Sequence, residues 1–379
     1  MMQRLGDYIR PVDVRNRDLK VERLLGISVT KEFIPSIANT IGTDMSVYKV
    51  VYPRQFVYIS DTSRRGDKIA IAYLKENEEP ALVSAIYTVF EIADTNALDP
   101  EYLMMWFRRP EFDRYARFHS HGSAREVFDW DEMCEVQVPV PDIKEQRNIV
   151  AEYKTLQTRI DTNKKLIATL EQTAQTLYRH TFVDNIDPNN LPEGWRMGTL
   201  GEIVEVNPRL SLKKDEVCPF IEMDFLPTMG YGVTEVAKRP FAGGAKFQNG
   251  DVLFARITPC MENGKVAVVD SLEENEVGAG STEFIVLRGK YRPLTGLLAA
   301  IVRNEEFRVY AKAHQTGSDG RQRVESSSIP LFDTVIPDEQ TLEKTEKQLS
   351  ALLKHSLQLN KENQTLTQMQ TLLLSKMGA

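Results

Sequence analysis

Between Ile149 and Leu177 a stripe of mostly apolar residues recurs at Ile149, Tyr153, Leu156, Ile160, Asn163, Ile167, Leu170, Ala174 and Leu177, in unbroken steps of four and three residues. No other feature of the chain limits its fold as strongly. A strand alternates every second residue, whereas a strict four-three alternation is the seam of a coiled coil and calls for a second helix. Asp142 stands where an N-cap belongs and Glu145 at the third helical position, just after Pro141, a capping-box-like start. A second run closes the sequence at Leu342, Thr345, Leu349, Leu352, Ser356, Leu359, Asn363, Leu366, Gln370, Leu373 and Met377. Each helix spans roughly forty residues, about 60 Å. Each seam carries one central asparagine, Asn163 and Asn363, and a buried seam asparagine costs stability but fixes register and partner. The two runs could be unrelated amphipathic helices on separate cores. Their matched length, period and central Asn predict instead one antiparallel pair with Asn163 and Asn363 adjacent, setting its register.

The segments that precede the two helices repeat one another. Leu5-Gly6-Asp7 matches Leu200-Gly201-Glu202. KVVYPRQFVYISDTSRRGDKIAIA, at Lys49–Ala72, has the shape of AKFQNGDVLFARITPCMENGKVAVV, at Ala245–Val269. Both read as an aromatic-rich strand, a polar turn marked by Gly66 or Gly264, and a further strand. ALVSAIYTVFEI answers EVGAGSTEFIVL. Phe112, Tyr115, Ala116, His119, Gly122 and Ser123 recur 195 residues later as Phe307, Tyr310, Ala311, His314, Gly317 and Ser318. The second copy then carries DGRQRV where the first has AREV, and Val127 and Val324 restore the match. PDIKEQ and PDEQ each lead into a heptad helix. The plan is globule, helix, globule, helix: an α+β chain of two mixed α/β globules joined by two long antiparallel coiled-coil helices, a pseudo-two-fold repeat. The expected divisions are 1–141, 142–182, 183–337 and 338–379.

A chain of 379 residues exceeds what one core usually serves, which agrees with two globules. The run around Leu297–Val302 is too short to span a bilayer, and MMQRLGDYIR has no apolar signal segment, so a cytoplasmic location is expected. Cys134, Cys218 and Cys260 lie far apart, in no disulfide or zinc pattern. A net charge of −7 argues weakly against nucleic acid, but a local basic stripe or a partner subunit can supply the positive field.

Catalytic motifs are absent or poorly placed. There is no phosphate-binding Gly-x-x-x-x-Gly-Lys-Ser/Thr loop and no methyl-donor glycine loop. Asn207-Pro208 lacks the aromatic neighbour that holds an extruded base. Asp142, Glu152 and Lys154 match a PD…ExK nuclease pattern in form, yet a helical separation of ten residues puts the carboxylates about 15 Å apart, too far to share a metal. His119 and His121 have no acidic residue at ligand spacing, and only His119 recurs, so no catalytic residue and no metal site is expected.

A pair of polar loops remains. Arg117, His119, Ser123 and Arg125 in the first copy, and Lys312, His314, Ser318, Arg321, Gln322 and Arg323 in the second, supply charged and neutral donors. Gly122, Gly317 and Gly320 let backbone amides approach phosphates. Arg and Gln also suit bidentate contacts with guanine and adenine edges. Arg64, Arg65 and Lys68, and in the second copy Arg256, Thr258 and Lys265, add a second polar turn to each globule. Tyr87, Phe90 and Phe284 are expected in the cores. A basic Gly-Ser loop is usually only solvated; its recurrence at matched positions is what points to double-stranded DNA.

The residues resemble the specificity subunits of type I restriction–modification systems over essentially the whole chain. The resemblance rests on VSAIYTVFE, LFARITPCMENGKVA, GAGSTEFIVLR, VPVPDIKEQRNIV, GSDGRQRV and the LPEGWRMGTLGEI that leads into the second globule. VIPDEQTLEK departs from the first such segment in lacking its leading Val-Pro. The resemblance implies two target-recognition domains, each reading half of a split DNA sequence, with helices that set the gap and dock two DNA-methyltransferase (modification) subunits. Motor-nuclease (restriction) subunits would join to cleave. It implies a non-catalytic chain without a cofactor of its own, S-adenosylmethionine, ATP and Mg being held by the partners. A subunit of a methylation-only or other phage-defence complex is the alternative, ahead of a self-contained nuclease or methyltransferase.

Overall fold

The computed structural model describes residues 2–38, 41–62, 68–122, 126–184, 186–318 and 320–378. The chain forms two compact units, residues 1–158 with 367–379, and residues 159–366.

In the first unit the main sheet has four antiparallel strands in the spatial order Ile9–Val12, Thr88–Ile92, Gln55–Tyr58 and Ile71–Tyr73. Two ribbons accompany it: Leu25–Ile27 pairs with Phe33–Pro35, and Lys49–Val51 with Ala81–Val83. A parallel bridge between Leu24 and Leu82 joins them. Three short helices follow: α1 (Pro100–Phe107), α2 (Pro110–Phe118) and α3 (Trp130–Glu135). The start of α1 is written in its sequence, since Asp99 accepts from the Glu101 and Tyr102 amides and Pro100 fills the first helical position, where no amide is needed. Behind the sheet lies a core rich in aromatics. Phe56 stacks on Phe90 at 5.0 Å, and Phe107 meets both edge-on. Trp130 tilts over Phe90 at 5.6 Å, while Trp106 lies under the Arg109 guanidinium at 4.2 Å.

The second unit repeats this plan. Its main sheet runs Val204–Val206, Phe284–Gly289, Val252–Ala255, Val266–Val268. These are the counterparts, one by one and in the same spatial order, of the first unit's strands. The accompanying strands Ala237–Pro240, Val217–Ile221, Gly278–Gly280 and Ala245–Phe247 merge into one sheet, again with a parallel pairing at its centre. Helices α5 (Thr295–Arg303) and α6 (Glu305–Ala313) answer α1 and α2. The core here is mainly aliphatic, with Val252, Ile285, Leu287, Leu298, Ile301 and Val302 almost wholly buried. Phe90 and Phe284 are buried and Tyr87 packs half-buried against the first unit's smaller core, the core positions expected for all three.

The two long runs are single helices, α4 (Ile143–Phe182) and α7 (Glu339–Lys376). Every predicted seam position in both is buried or half-buried. In the second unit Asn163 Nδ2 donates to Asn363 Oδ1 at 3.0 Å, and Arg159 grips the Glu362 carboxylate at 2.7 and 3.1 Å. In the first, Gln370 donates to Gln157 at 3.1 Å, and Val150 and Tyr153 share a core with Leu373, Leu374 and Met377. Residue numbers rise along one helix as they fall along the other, so the pair is antiparallel. Met377 lies just beyond the last turn of α7.

Each globule also rests on the start of the long helix that follows it. In the first unit Gln146, fully buried, accepts from the Asp99 amide and donates to the Ala97 and Pro141 carbonyls. Asp142 caps α4 by accepting from the Lys144 amide at 2.8 Å. In the second unit Glu346 of α7 accepts from the Gly296 and Leu297 amides at 3.0 and 2.8 Å. Asp338 caps α7 and accepts from Trp195 Nε1 at 2.8 Å.

Candidate nucleic-acid interface

In the second globule strand Val252–Ala255 ends at Arg256, and the chain turns through residues 257–265 before the next strand. Met261 is buried and pins this turn, and amides of Met261, Asn263, Gly264 and Lys265 close it on Ile257, Pro259, Met261 and Cys260 carbonyls at 2.9–3.0 Å. Gly264 has φ +71°, left-handed backbone that a side chain would strain. The second polar segment begins where α6 stops. His314 caps it with its ring 4.1 Å from that of Tyr310 and Nδ1 2.8 Å from the Tyr310 carbonyl oxygen. Gln315–Thr316 then pairs back with Arg323–Val324, and Gly317 and Gly320 take positive φ between them.

The structure stitches these two segments together. The Thr258 amide donates to the Gln322 carbonyl at 3.0 Å, Val324 to Arg256 at 2.9 Å, and Gln315 Nε2 to Thr258 Oγ1 at 3.3 Å. Arg256 and Arg323 meet on one carboxylate, Glu283. Ser318 and Arg321 are exposed at the turn. Lys312 pairs with Glu262 at 2.9 Å. Lys265 is more committed than its sequence position suggests, for its ammonium donates to the Met223 carbonyl at 2.9 Å and pairs with Asp224 at 3.1 Å.

Among its described residues the first globule repeats these bonds. The Thr62 amide donates to the Glu126 carbonyl at 3.0 Å, Phe128 to Ser60 at 2.9 Å, and Thr62 Oγ1 to Ser120 Oγ at 2.8 Å. His121 and Val127 exchange two backbone bonds, and Gly122 between them has φ +132°. His119 stacks on Tyr115 at 4.2 Å, the contact that His314 makes with Tyr310. Arg117 pairs with Glu126, and Lys68 is exposed. Arg64, Arg65, Gly66, Ser123 and Arg125 lie outside the described residues.

Three acidic residues and one aromatic were missed by the sequence reading. His119 and His121 do have an acidic partner: Glu132, in the first turn of α3, lies 3.1 Å from His119 Nδ1 and 3.4 Å from His121 Nε2. The chain reverses between them, so spacing along the sequence could not reveal it. Glu126 and Glu283 join their arginines through similar reversals. Phe118, at the end of α2, is 81% exposed beside Arg117 and His119. An exposed phenylalanine at a helix end has no periodicity to betray it. Among the described residues, no group of three or more His, Cys, Asp or Glu is disposed to hold a metal ion. Of the nuclease-like residues, Asp142 is engaged as a helix cap and Lys154 pairs with Glu101 at 3.1 Å. No described helix is long and apolar enough to cross a membrane.

No family model matches the chain. It is 33% identical over 159 residues to the specificity subunit of the type I restriction enzyme EcoAI of Escherichia coli, covering 38% of this chain and 26% of that one. The EcoEI specificity subunit, also of Escherichia coli, is 30% identical over 156 residues, covering 40% and 26%. The similarity thus spans about a quarter of the length of these relatives. A solved type I restriction–modification S subunit from M. genitalium covers 100% of this chain and 95% of its own, at 13% identity and a TM-score of 0.57, and so shares the fold. Curated relatives and structural neighbours alike are type I restriction–modification specificity subunits, the family that the sequence resembles.

Proposed function

We propose that this chain is the DNA-sequence-recognition subunit of a type I restriction–modification complex, each globule reading one half of a bipartite duplex target. Residues 1–141 and 183–337 act as the two target-recognition domains, and 142–182 and 338–379 as spacer helices. The observation that carries the reading is the recurrence of one platform in both globules: a strand-end turn bonded to the loop after the second short helix, with cationic side chains, amide donors and positive-φ glycines. Arg and Lys supply phosphate attraction, while Arg and Gln suit base edges. The chain itself performs no catalysis. Its helices dock two modification subunits, which carry S-adenosylmethionine chemistry, and restriction subunits bring ATP and Mg. With a net charge of −7, part of the positive surface around DNA comes from those partners, and the complex works in the cytoplasm.

Methylome sequencing of cells expressing this chain with its modification subunit tests the proposal. A gapped motif with a methylated adenine in each half is expected; a continuous motif would contradict two separate readers. Phe118 offers a sharper test of the first platform. An exposed ring there can lie against a thymine methyl or an unstacked base. Phe118→Ala is expected to weaken binding to that motif about tenfold with no change in melting temperature. Unaltered affinity would take Phe118 out of the interface.

A further inference from the structure

Glu283 sits in the turn that leads into strand Phe284–Gly289, and two arginines of the second globule's polar segments, Arg256 and Arg323, converge on it. Arg323 Nε lies 2.9 and 3.0 Å from its two carboxylate oxygens and Nη2 lies 2.8 Å from Oε1. Arg256 Nε lies 3.2 Å from Oε2, and the Arg256 amide donates to the Glu283 carbonyl at 3.0 Å. Arg323 Nη1 also reaches the Arg321 carbonyl at 3.4 Å. The carboxylate is the most covered of the three side chains, at 20% exposure against 29% for Arg256 and 40% for Arg323. Its charge is secure, since the Arg323 hydrogen bond, then that of Arg256, holds its carboxyl below the usual range.

We infer that Glu283 is a positioning residue for sequence reading by the second globule, holding the Arg256 and Arg323 guanidiniums in fixed planes so that their outer edges can meet base edges. The inference rests on the DNA-reading function proposed above. The physical reason is geometric. A guanidinium recognises a guanine edge bidentately only if its plane is set, and a free arginine must give up several rotors to set it. A carboxylate that fixes the plane beforehand meets that entropy cost in the fold. It also removes one positive charge from the pair, so generic phosphate attraction falls while discrimination rises. The first globule has a single arginine–carboxylate pair of this kind among its described platform residues, Arg117 with Glu126.

The test uses the full chain in complex with its modification subunits, and duplexes carrying the motif found for the wild type or a base change in either half. Glu283→Gln keeps the shape and removes the charge. It is expected to reduce discrimination in the second half-site at least tenfold, to leave discrimination in the first half-site unchanged, and to leave affinity for unrelated DNA equal or higher. Arg256→Ala and Arg323→Ala should each lose discrimination in the same half-site. In a chain carrying both alanines, Glu283→Gln should change discrimination no further. A uniform loss at both half-sites with a lowered melting temperature would mark Glu283 as merely structural. Wild-type discrimination in Glu283→Gln, or in both arginine variants, would overturn the inference while leaving the function standing. Absence of any sequence preference in the wild-type complex would overturn the function itself.

Discussion

Gly296→Ala is expected to destabilise the second unit by about 3 kcal/mol, read as a lower urea midpoint at unchanged slope. At Gly296 the backbone of α5 lies directly against that of α7. A Cβ there would stand 2.4 Å from the Ser350 amide nitrogen and 2.7 Å from the Leu349 carbonyl carbon. Those atoms belong to a helical backbone that cannot swing aside as a side chain can, so a whole helix must shift and open its packing. Gly26→Ala, in the first unit, is the control. Its Cβ would meet Ile34 Cγ1 at an ordinary 3.5 Å, and the change should lie within about 0.5 kcal/mol. Equal effects at the two sites would refute the close approach of α5 to α7.

The second large effect is expected at Glu346. Its carboxylate accepts from two amides at the start of α5 and from the Ser350 hydroxyl. Glu346→Ala leaves those amides without their partner in a half-buried place, a loss of about 2–4 kcal/mol at neutral pH. The pH dependence has a definite sign. Burial raises the Glu346 carboxyl above its ordinary value of 4.5, so the folded state binds its proton more tightly than the unfolded chain does. The stability this contributes is present below the unfolded value and is lost as pH rises through the folded one. Glu346→Gln should remove that part of the slope. Chemical denaturation at a series of pH values rising from the ordinary value of 4.5 checks it, and an unchanged slope would show that Glu346 contributes nothing to it.

The helix pair was legible because a seam leaves its signature in one dimension. From Ile149 to Leu177 each position that must face a partner helix is marked by its spacing, and the register of Asn163 on Asn363 follows from two matched runs. The repeat was legible for a related reason, since residues 195 apart occupy equivalent places in two copies of one fold. Strand boundaries were less so. Lys49–Ala72 reads as one long strand before its turn, yet the chain breaks after Val51, where Arg54 takes φ +70°, and resumes at Gln55 in a different sheet. Two consecutive apolar stretches do not announce that they serve different sheets. The partners of the platform residues were least legible. Glu283 lies 27 residues after Arg256 and 40 before Arg323, and Glu132 reaches His119 only after the chain doubles back. Such pairs are set by sheet order and loop closure, neither of which leaves a period in the sequence.

The placement of the tryptophans has a practical consequence. The chain has three, and they divide between the units: Trp106 and Trp130 in the first, Trp195 in the second. Trp130 lies in an apolar aromatic cluster and Trp106 under a guanidinium, whereas the Trp195 indole donates to the carboxylate that caps α7. Indole emission follows polarity and nearby charge, so each unit carries its own optical reporter. Trp195→Phe leaves the fluorescence to the first unit alone, and a chain with Trp106 and Trp130 replaced reports on the second. Whether the two halves melt together or one after the other can then be read by eye from a pair of denaturation curves.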